Sequence, residues 1–128
     1  MIASARRRAA RLGLTRTSAF HHGSVEALPF ADASFDAVCS VHTIYFWPDL
    51  VRGLGQIARV IKPGGQLVLG FSTAEDLRGE GWTEQGFNAY SNDDIIAACR
   101  RQGFAKEHLE SIERKPRGLS YVYRGVRT

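Results

Sequence analysis

The stretch that most constrains this chain runs from Phe35 to Ser72. Phe35 to Phe46 is almost unbroken apolar and aromatic sequence, the pattern of a strand buried on both faces. Trp47-Pro48-Asp49 breaks it. Leu50, Val51, Leu54, Ile57, Ala58 and Ile61 then trace one face of a helix, at spacings of 1, 3, 3, 1 and 3. Lys62-Pro63-Gly64-Gly65 ends that helix with breakers where the chain must turn. Gln66 to Ser72 is a second apolar strand. Strand, helix and strand in this order make a βαβ unit, so the two strands are expected to be parallel with a right-handed crossover.

The flanks extend this α/β reading. Ile2, Ala5, Ala9 and Leu12 recur at spacings of 3, 4 and 3, with Arg6, Arg7, Arg8 and Arg11 mostly off that stripe, which predicts a helix over 2–12 stopped by Gly13. Thr17 to His22 reads as a short strand, and Val25 to Ser34, with Pro29, as a loop. Residues 74–90 carry three glycines with Trp82, Phe87 and Tyr90, a long connection of the sort often tied to function. Ser91 is an N-cap candidate, with Asp93 and Asp94 in the first turn of a helix that Gly103 closes. Lys106 to Glu113 and Leu119 to Val126 predict an antiparallel hairpin turning at Lys115-Pro116-Arg117-Gly118. The expectation is a three-layer α/β domain, with helices 2–12, 49–61 and 91–102 on both faces of a mixed sheet.

Composition narrows the classes. At 128 residues the chain is one domain's worth, and 44% hydrophobic against 23% charged argues against disorder. The longest uncharged stretches, 37–48 and 63–74, are too short for a span of about 20 apolar residues. Two cysteines in apolar contexts, Cys39 and Cys99, suit buried thiols in a reducing cytoplasm. The sequence holds no CxxC, HExxH or Cys/His cluster, so a structural zinc site is not expected. The net charge of +4 sits at the ends: residues 1–16 carry five Arg and no acid, and 114–128 carry five bases and no acid. Nucleic-acid binding would want those ends on one face with interleaved aromatics. Tyr121 and Tyr123 are explained equally well by strand alternation, so two solvated basic ends are the plainer reading. The Ala/Arg-rich start matches a transit peptide in composition, but its apolar stripe already accounts for it as a packed helix.

Four segments then carry a resemblance. Gly23-Ser24-Val25-Glu26-Ala27-Leu28-Pro29-Phe30, Ser34-Phe35-Asp36-Ala37-Val38, Arg59-Val60-Ile61-Lys62-Pro63-Gly64-Gly65-Gln66-Leu67-Val68-Leu69, and Tyr90 to Ile96 with Gln102-Gly103-Phe104 resemble, in this order, the second half of a class I S-adenosylmethionine-dependent methyltransferase of the type 11 group. The resemblance implies a truncated Rossmann-like sheet, parallel strands plus a C-terminal antiparallel hairpin. The family's opening strand, GxGxG turn and ribose-holding acid have no counterpart in these residues. Gly53-Leu54-Gly55-Gln56-Ile57-Ala58 matches GxGxxA by letters, but lies mid-helix, without the strand-to-helix context a phosphate loop needs.

The resemblance also implies roles. Ser24 and Val25 match positions that touch the adenine of S-adenosylmethionine, and Glu26 beside them is placed to cap the following turn. Ser40, Val41 and His42 fall at the carboxyl end of the first long strand, where α/β folds bind ligands and where the family lines the methionine end of the cofactor. His42 is a candidate to touch substrate or accept a proton; a lone histidine there is also a common structural residue. Trp82, Phe87 and Tyr90 would shape a lid over the acceptor, or simply pack a long loop. Gln56 stands where the family carries a carboxylate before Ile-x-Arg, an ion-pair loss of under about 1 kcal/mol. Methyl transfer asks mainly for alignment, so no triad or metal is expected.

Three functions follow as expectations. The first is methyl transfer to a small-molecule acceptor, with weak or absent cofactor binding by this isolated chain and 50–80 further residues encoded upstream. The second is a non-enzymatic remnant or self-associating module. The third is a basic-ended nucleic-acid-binding protein. Without its family neighbours, the strand at 17–22 must pair directly with 35–44, or a homodimer must cover the open edge.

Overall fold

The computed structural model describes residues 1–79, 81, 88–113 and 119–128. Helix α1 spans Ile2–Arg11, strand β1 Phe35–Val41, helix α2 Leu50–Val60, strand β2 Ile61–Phe71, short helix α3 Ala74–Gly79, helix α4 Asn92–Arg101, strand β3 Phe104–Glu113 and strand β4 Leu119–Arg127. The sheet order is β1-β2-β4-β3. β1 and β2 are parallel, with Val38 opposite Leu67 and Ser40 opposite Leu69. β4 runs antiparallel to both β2 and β3. The βαβ unit and the C-terminal hairpin are therefore as the sequence predicts; the expected turn residues 115–118 lie outside the described residues.

Helix α2 forms where Asp49 accepts the Arg52 N–H at 3.1 Å, capping its first turn. Its predicted stripe is the buried one: Leu54, Ile57 and Ala58 lie against Leu67, Leu69 and Phe71 of β2 and Tyr123 of β4. Helix α4 joins the same core through Ile95, Ala98 and Cys99. Each such large apolar side chain contributes about 1.5–3 kcal/mol by leaving water. Ser91 and Asp94 close a reciprocal capping box at the start of α4. Gly53, one of the two glycines in the letter match to GxGxxA, sits mid-helix where a β-carbon would come within 2.8 Å of the Trp47 ring. Its role there is close packing.

Three expectations are corrected. Residues 17–22 form no strand, and β1 pairs with β2 alone among the described residues. Extended backbone holds only where a neighbour takes its N–H and C=O groups. This segment's contacts run elsewhere: the Phe20 carbonyl accepts from Arg6, and the His21 ring lies edge-on to Phe30. The run 35–46 is also not one strand. It ends at Val41, and Ile44–Phe46 make a 3-10 turn. The deep burial belongs to that turn, with Ile44 at 1% exposure, whereas Val41 is 57% exposed. The physical reason is position: among the described residues β1 is the edge strand of the sheet. Finally, Lys62 to Gly65 do not turn out of the helix but form a bulge inside β2, between the pairings Phe35–Ile61 and Ala37–Gln66.

Strand alternation puts Val38 and Ser40 on the face covered by α2 and α4, and Ala37, Cys39 and Val41 on the opposite face. Those last three are exposed. The coverage expected on both faces is thus found on one at β1. Helix α1, which buries only Ala9, bonds from Arg6 to Phe20 instead.

Candidate functional site

The carboxyl end of β1 is built from a break in the ladder. His42 follows Val41 with φ +52, a left-handed backbone uncommon outside glycine. Its N–H still donates to the Gly70 carbonyl at 2.8 Å, so the strand's last bond is kept while the chain turns away. Thr43 and the 3-10 turn follow, placing His42 and Tyr45 three residues apart on one side. The His42 Nδ1 lies 3.1 Å from the Tyr45 hydroxyl. That hydroxyl also accepts the backbone N–H of Ser72, just past the end of β2. Ser40 and Thr43 hydrogen-bond through their hydroxyls. Asn88 ties the turn down, its N–H donating to the Tyr45 carbonyl at 3.0 Å and its amide to the Trp47 carbonyl at 2.9 Å. Ser40 and Val41 are the last residues of β1 and His42 follows them, at the carboxyl end of the strand, where α/β folds bind ligands.

Ser24, Val25 and Glu26 form a separate tight turn. The Ser24 hydroxyl accepts the Glu26 N–H at 3.2 Å, and Ala27 bonds back to the Ser24 carbonyl at 3.1 Å. The Ser24 hydroxyl caps this turn. Val25 and Leu28 pack on the core. Among the described residues, no hydrogen bond joins this turn to Ser40–His42.

A second network holds the segment that follows. The Arg59 guanidinium donates to the carbonyls of Phe30 at 2.7 Å and Leu28 at 2.9 Å, and to Asp32 at 2.8 Å. The Gln56 side-chain oxygen accepts from Arg59 at 3.1 Å and from the Leu28 N–H at 3.2 Å. Gln56 is thus a working acceptor between α2 and the loop, beyond the surface ion-pair position inferred for it.

Of the acceptor-lid candidates, Trp82 and Phe87 lie outside the described residues. Tyr90 is half-buried and lines an open groove of about 560 Å³ with Pro48, Asp49, Asp94 and Arg101. Burial, then the carboxylates of Asp49 and Asp94, push its phenol above the ordinary tyrosine value. Neither Ser24–Glu26 nor Ser40–His42 lines that groove. Two of the five basic residues at the carboxyl end are tied down, and Arg114, Lys115 and Arg117 lie outside the described residues. Arg127 donates to the Ile61 carbonyl and Arg124 to Glu110.

Tyr45, Thr43, Ser72 and Asn88 were not singled out from the sequence. The only signal was the three-residue spacing of His42 and Tyr45, hidden inside an apolar run. Among the described residues, no three His, Cys, Asp or Glu side chains are grouped to hold a metal ion, and no helix is long and apolar enough to cross a membrane.

Comparison with known proteins agrees with this architecture. The family described as Methyltransferase domain matches residues 1–69. The chain is 42% identical over 76 residues to the ubiquinone/menaquinone biosynthesis C-methyltransferase of Brucella anthropi, covering 59% of this chain and 29% of that enzyme. It is 41% identical over 89 residues to the demethylmenaquinone methyltransferase of Listeria welshimeri, covering 70% of this chain and 36% of that enzyme. It thus spans about a third of these curated relatives. A solved SAM-dependent methyltransferase from Thermotoga maritima superposes with a TM-score of 0.76 at 24% identity, over 91% of this chain and 68% of that one.

Proposed function

This chain belongs to the methyltransferase-domain family, and from that premise we propose that its strand edge at Ser40, Val41 and His42 serves S-adenosylmethionine-dependent methyl transfer to a small-molecule acceptor. The observation that carries the proposal is His42. A non-glycine residue held left-handed costs about 1–3 kcal/mol and persists where surroundings over-determine it, as at functional sites. Here the Gly70 carbonyl and the Tyr45 hydroxyl fix it at the carboxyl end of β1.

The residues present fit part of the cofactor. Ser24 and Val25 are the candidates for the adenine side, and Ser40 and Val41 for the methionine side. The Ser24 and Ser40 hydroxyls are hydrogen-bonded within their own turns, so they orient backbone as much as ligand. No GxGxG turn follows a strand in this sequence, and Gly53 and Gly55 are interior to α2. Losing several buried polar contacts at about 1–3 kcal/mol each weakens binding by orders of magnitude. When bound, S-adenosylmethionine supplies a methyl group on a sulfonium that is already a good leaving group. What this chain adds is placement, with His42 as the residue to touch the acceptor.

Titration of the labelled chain with S-adenosylhomocysteine tests this. Backbone amide shifts at Ser24–Glu26 and Ser40–His42 are expected, with a dissociation constant no tighter than about 1 mM. Saturation that moves neither group overturns the site; a micromolar constant overturns the weak-binding reading.

A second reading rests on the outer edge of β1, which no strand among the described residues covers. Its outward N–H and C=O groups invite another strand, and pairing with a second copy would give a homodimer. Sedimentation that stays monomeric at high concentration rejects it. We take residues 1–128 as one domain, equivalent to the C-terminal portion of the fold. Its two cysteines are free, which suits a reducing cytoplasm.

A further inference from the structure

We propose that helix α1 docks the chain on an anionic lipid surface, with Arg7, Arg8 and Arg11 facing the headgroups and Leu12 and Leu14 entering the interface beside them. Residues 1–16 hold five arginines and no acid, and all five are exposed. Elsewhere the fold pairs its bases: Arg59, Lys62, Arg100 and Arg124 each meet a carboxylate. Among the described residues no arginine of α1 does.

The helix sorts these charges onto one side. Arg7 and Arg11 are four residues apart, and Arg8 and Arg11 three, so their side chains share a face. Ala9, which α1 buries, lies across the helix from Arg11. Arg6 lies nearer the packed side and donates to the Phe20 carbonyl. Like charges at these spacings oppose the helix, and its amino end has neither an acid in the first turn nor a side-chain cap. Salt only screens that repulsion; an anionic surface turns it into attraction.

The apolar part is fixed in place. Gly13 takes φ +70 and its N–H donates to the Ala10 carbonyl at 3.2 Å, while the Leu14 N–H donates to the Ala9 carbonyl at 2.8 Å. This left-handed closure stops the helix and leaves Leu12 62% and Leu14 44% exposed at its end. Leu12 stands one turn beyond Arg8 on neighbouring surface. Arginine beside exposed leucine is the pattern of an interfacial anchor, in which charge draws the helix to the headgroups and apolar side chains enter the acyl boundary. A nucleic acid would instead be met by aromatics interleaved with the bases, and residues 1–16 contain none.

Flotation of the 128-residue chain with lipid vesicles tests this. Phosphatidylcholine vesicles carrying about one third phosphatidylserine should bind it, and phosphatidylcholine alone should not. Binding should fall as salt rises. Arg8→Gln with Arg11→Gln should lower the partition coefficient about 25-fold, at about fivefold per basic residue near the surface. Arg52→Gln with Lys106→Gln removes the same charge from exposed positions on α2 and β3 and should lower it far less. Leu12→Ser with Leu14→Ser should weaken binding about tenfold. In the wild-type chain, equal binding to both kinds of vesicle, or binding to neither, overturns the proposal without any variant. So does an equal loss from the two pairs of charge substitutions, or a leucine variant that binds as the wild type does. Capture by single-stranded RNA without affinity for the anionic vesicles gives the face to nucleic acid and overturns it as well.

Discussion

The Arg59 guanidinium donates to the Phe30 carbonyl at 2.7 Å, across 29 residues of sequence. It ties the loop before β1 to the last turn of α2. The same fork reaches Leu28 and Asp32, so one side chain sets the path of the chain from the Ser24 turn to the start of the sheet. Arg59→Ala should cost about 1–3 kcal/mol in urea unfolding, because it strips partners from half-buried carbonyls. Arg59→Lys should recover only part, since an ammonium cannot reproduce the planar fork. Asp32→Asn, at the exposed end of the network, should cost under about 1 kcal/mol. Equal losses for Arg59→Ala and Asp32→Asn would show that the ion pair, and not the carbonyl grip, matters.

Gln56 offers a gain. Its oxygen takes both the Leu28 N–H and Arg59. Gln56→Glu keeps that acceptor and adds a charge beside the guanidinium. The bonds become charge-assisted, so stability should rise by up to about 1 kcal/mol at low salt. The gain should shrink as ionic strength increases. A destabilised Gln56→Glu would mean that the outward amide nitrogen has a partner of its own.

Much of this architecture is legible in the sequence, and the parts that are not share a cause. The stripe of α2 and the pattern of β2 are periodic, so Leu54, Ile57, Leu67 and Leu69 declare their burial. The strand expected at 17–22 had the right residues, but a strand is also defined by its neighbour, and local sequence carries no record of that. The apolar run 35–46 hid a change of backbone, because Ile44 and Tyr45 suit a strand and a buried 3-10 turn equally. His42 was singled out from its place at a strand end; Tyr45 was not, because what anchors its hydroxyl is the main-chain N–H of residue 72, which any residue but proline would supply. The grip of Arg59 on carbonyls about 30 residues away is silent for the same reason.

Gly65 should tolerate no side chain. A β-carbon there would lie 2.5 Å from an Ile61 methyl and 2.7 Å from the Asp36 carbonyl oxygen. The bulge in β2 closes only because nothing occupies that space. Gly65→Ala should lower stability by about 1–3 kcal/mol through overpacking. Gly64→Ala, where φ is +84 but the space is open, should cost about 1 kcal/mol from backbone conformation alone. Denaturant midpoints for the two variants check the order, and an equal pair would remove the steric argument.

The two thiols should part company. Cys39 is exposed and Cys99 buried, so alkylating reagent should modify Cys39 in the native chain and Cys99 only on unfolding. Burial pushes the Cys99 thiol up to about 12, from an ordinary 9.0. Between those values the unfolded chain loses its thiol proton and the folded chain does not. Stability from this group is therefore complete below pH 9 and falls as pH climbs toward 12. Tyr123 beside it is also raised, by burial first, and acts in the same direction. Cys99→Ala should flatten part of that alkaline slope in melts recorded across the range. An unchanged slope would place the alkaline sensitivity elsewhere.

Among the described residues β1 pairs along one side only, and that asymmetry sets how the sheet breathes. Amides of β2 and β4 lie between two neighbours and should exchange with solvent deuterium only on large openings. Those on the outward side of β1 face no strand among the described residues and should exchange early, so fraying moves inward from the strand that His42 follows. The element carrying the candidate site is then the one with the least protection of its own. A molecule seated at its tip would register first as a slowing of exchange along Phe35–Val41, well before any change in the shape of the fold.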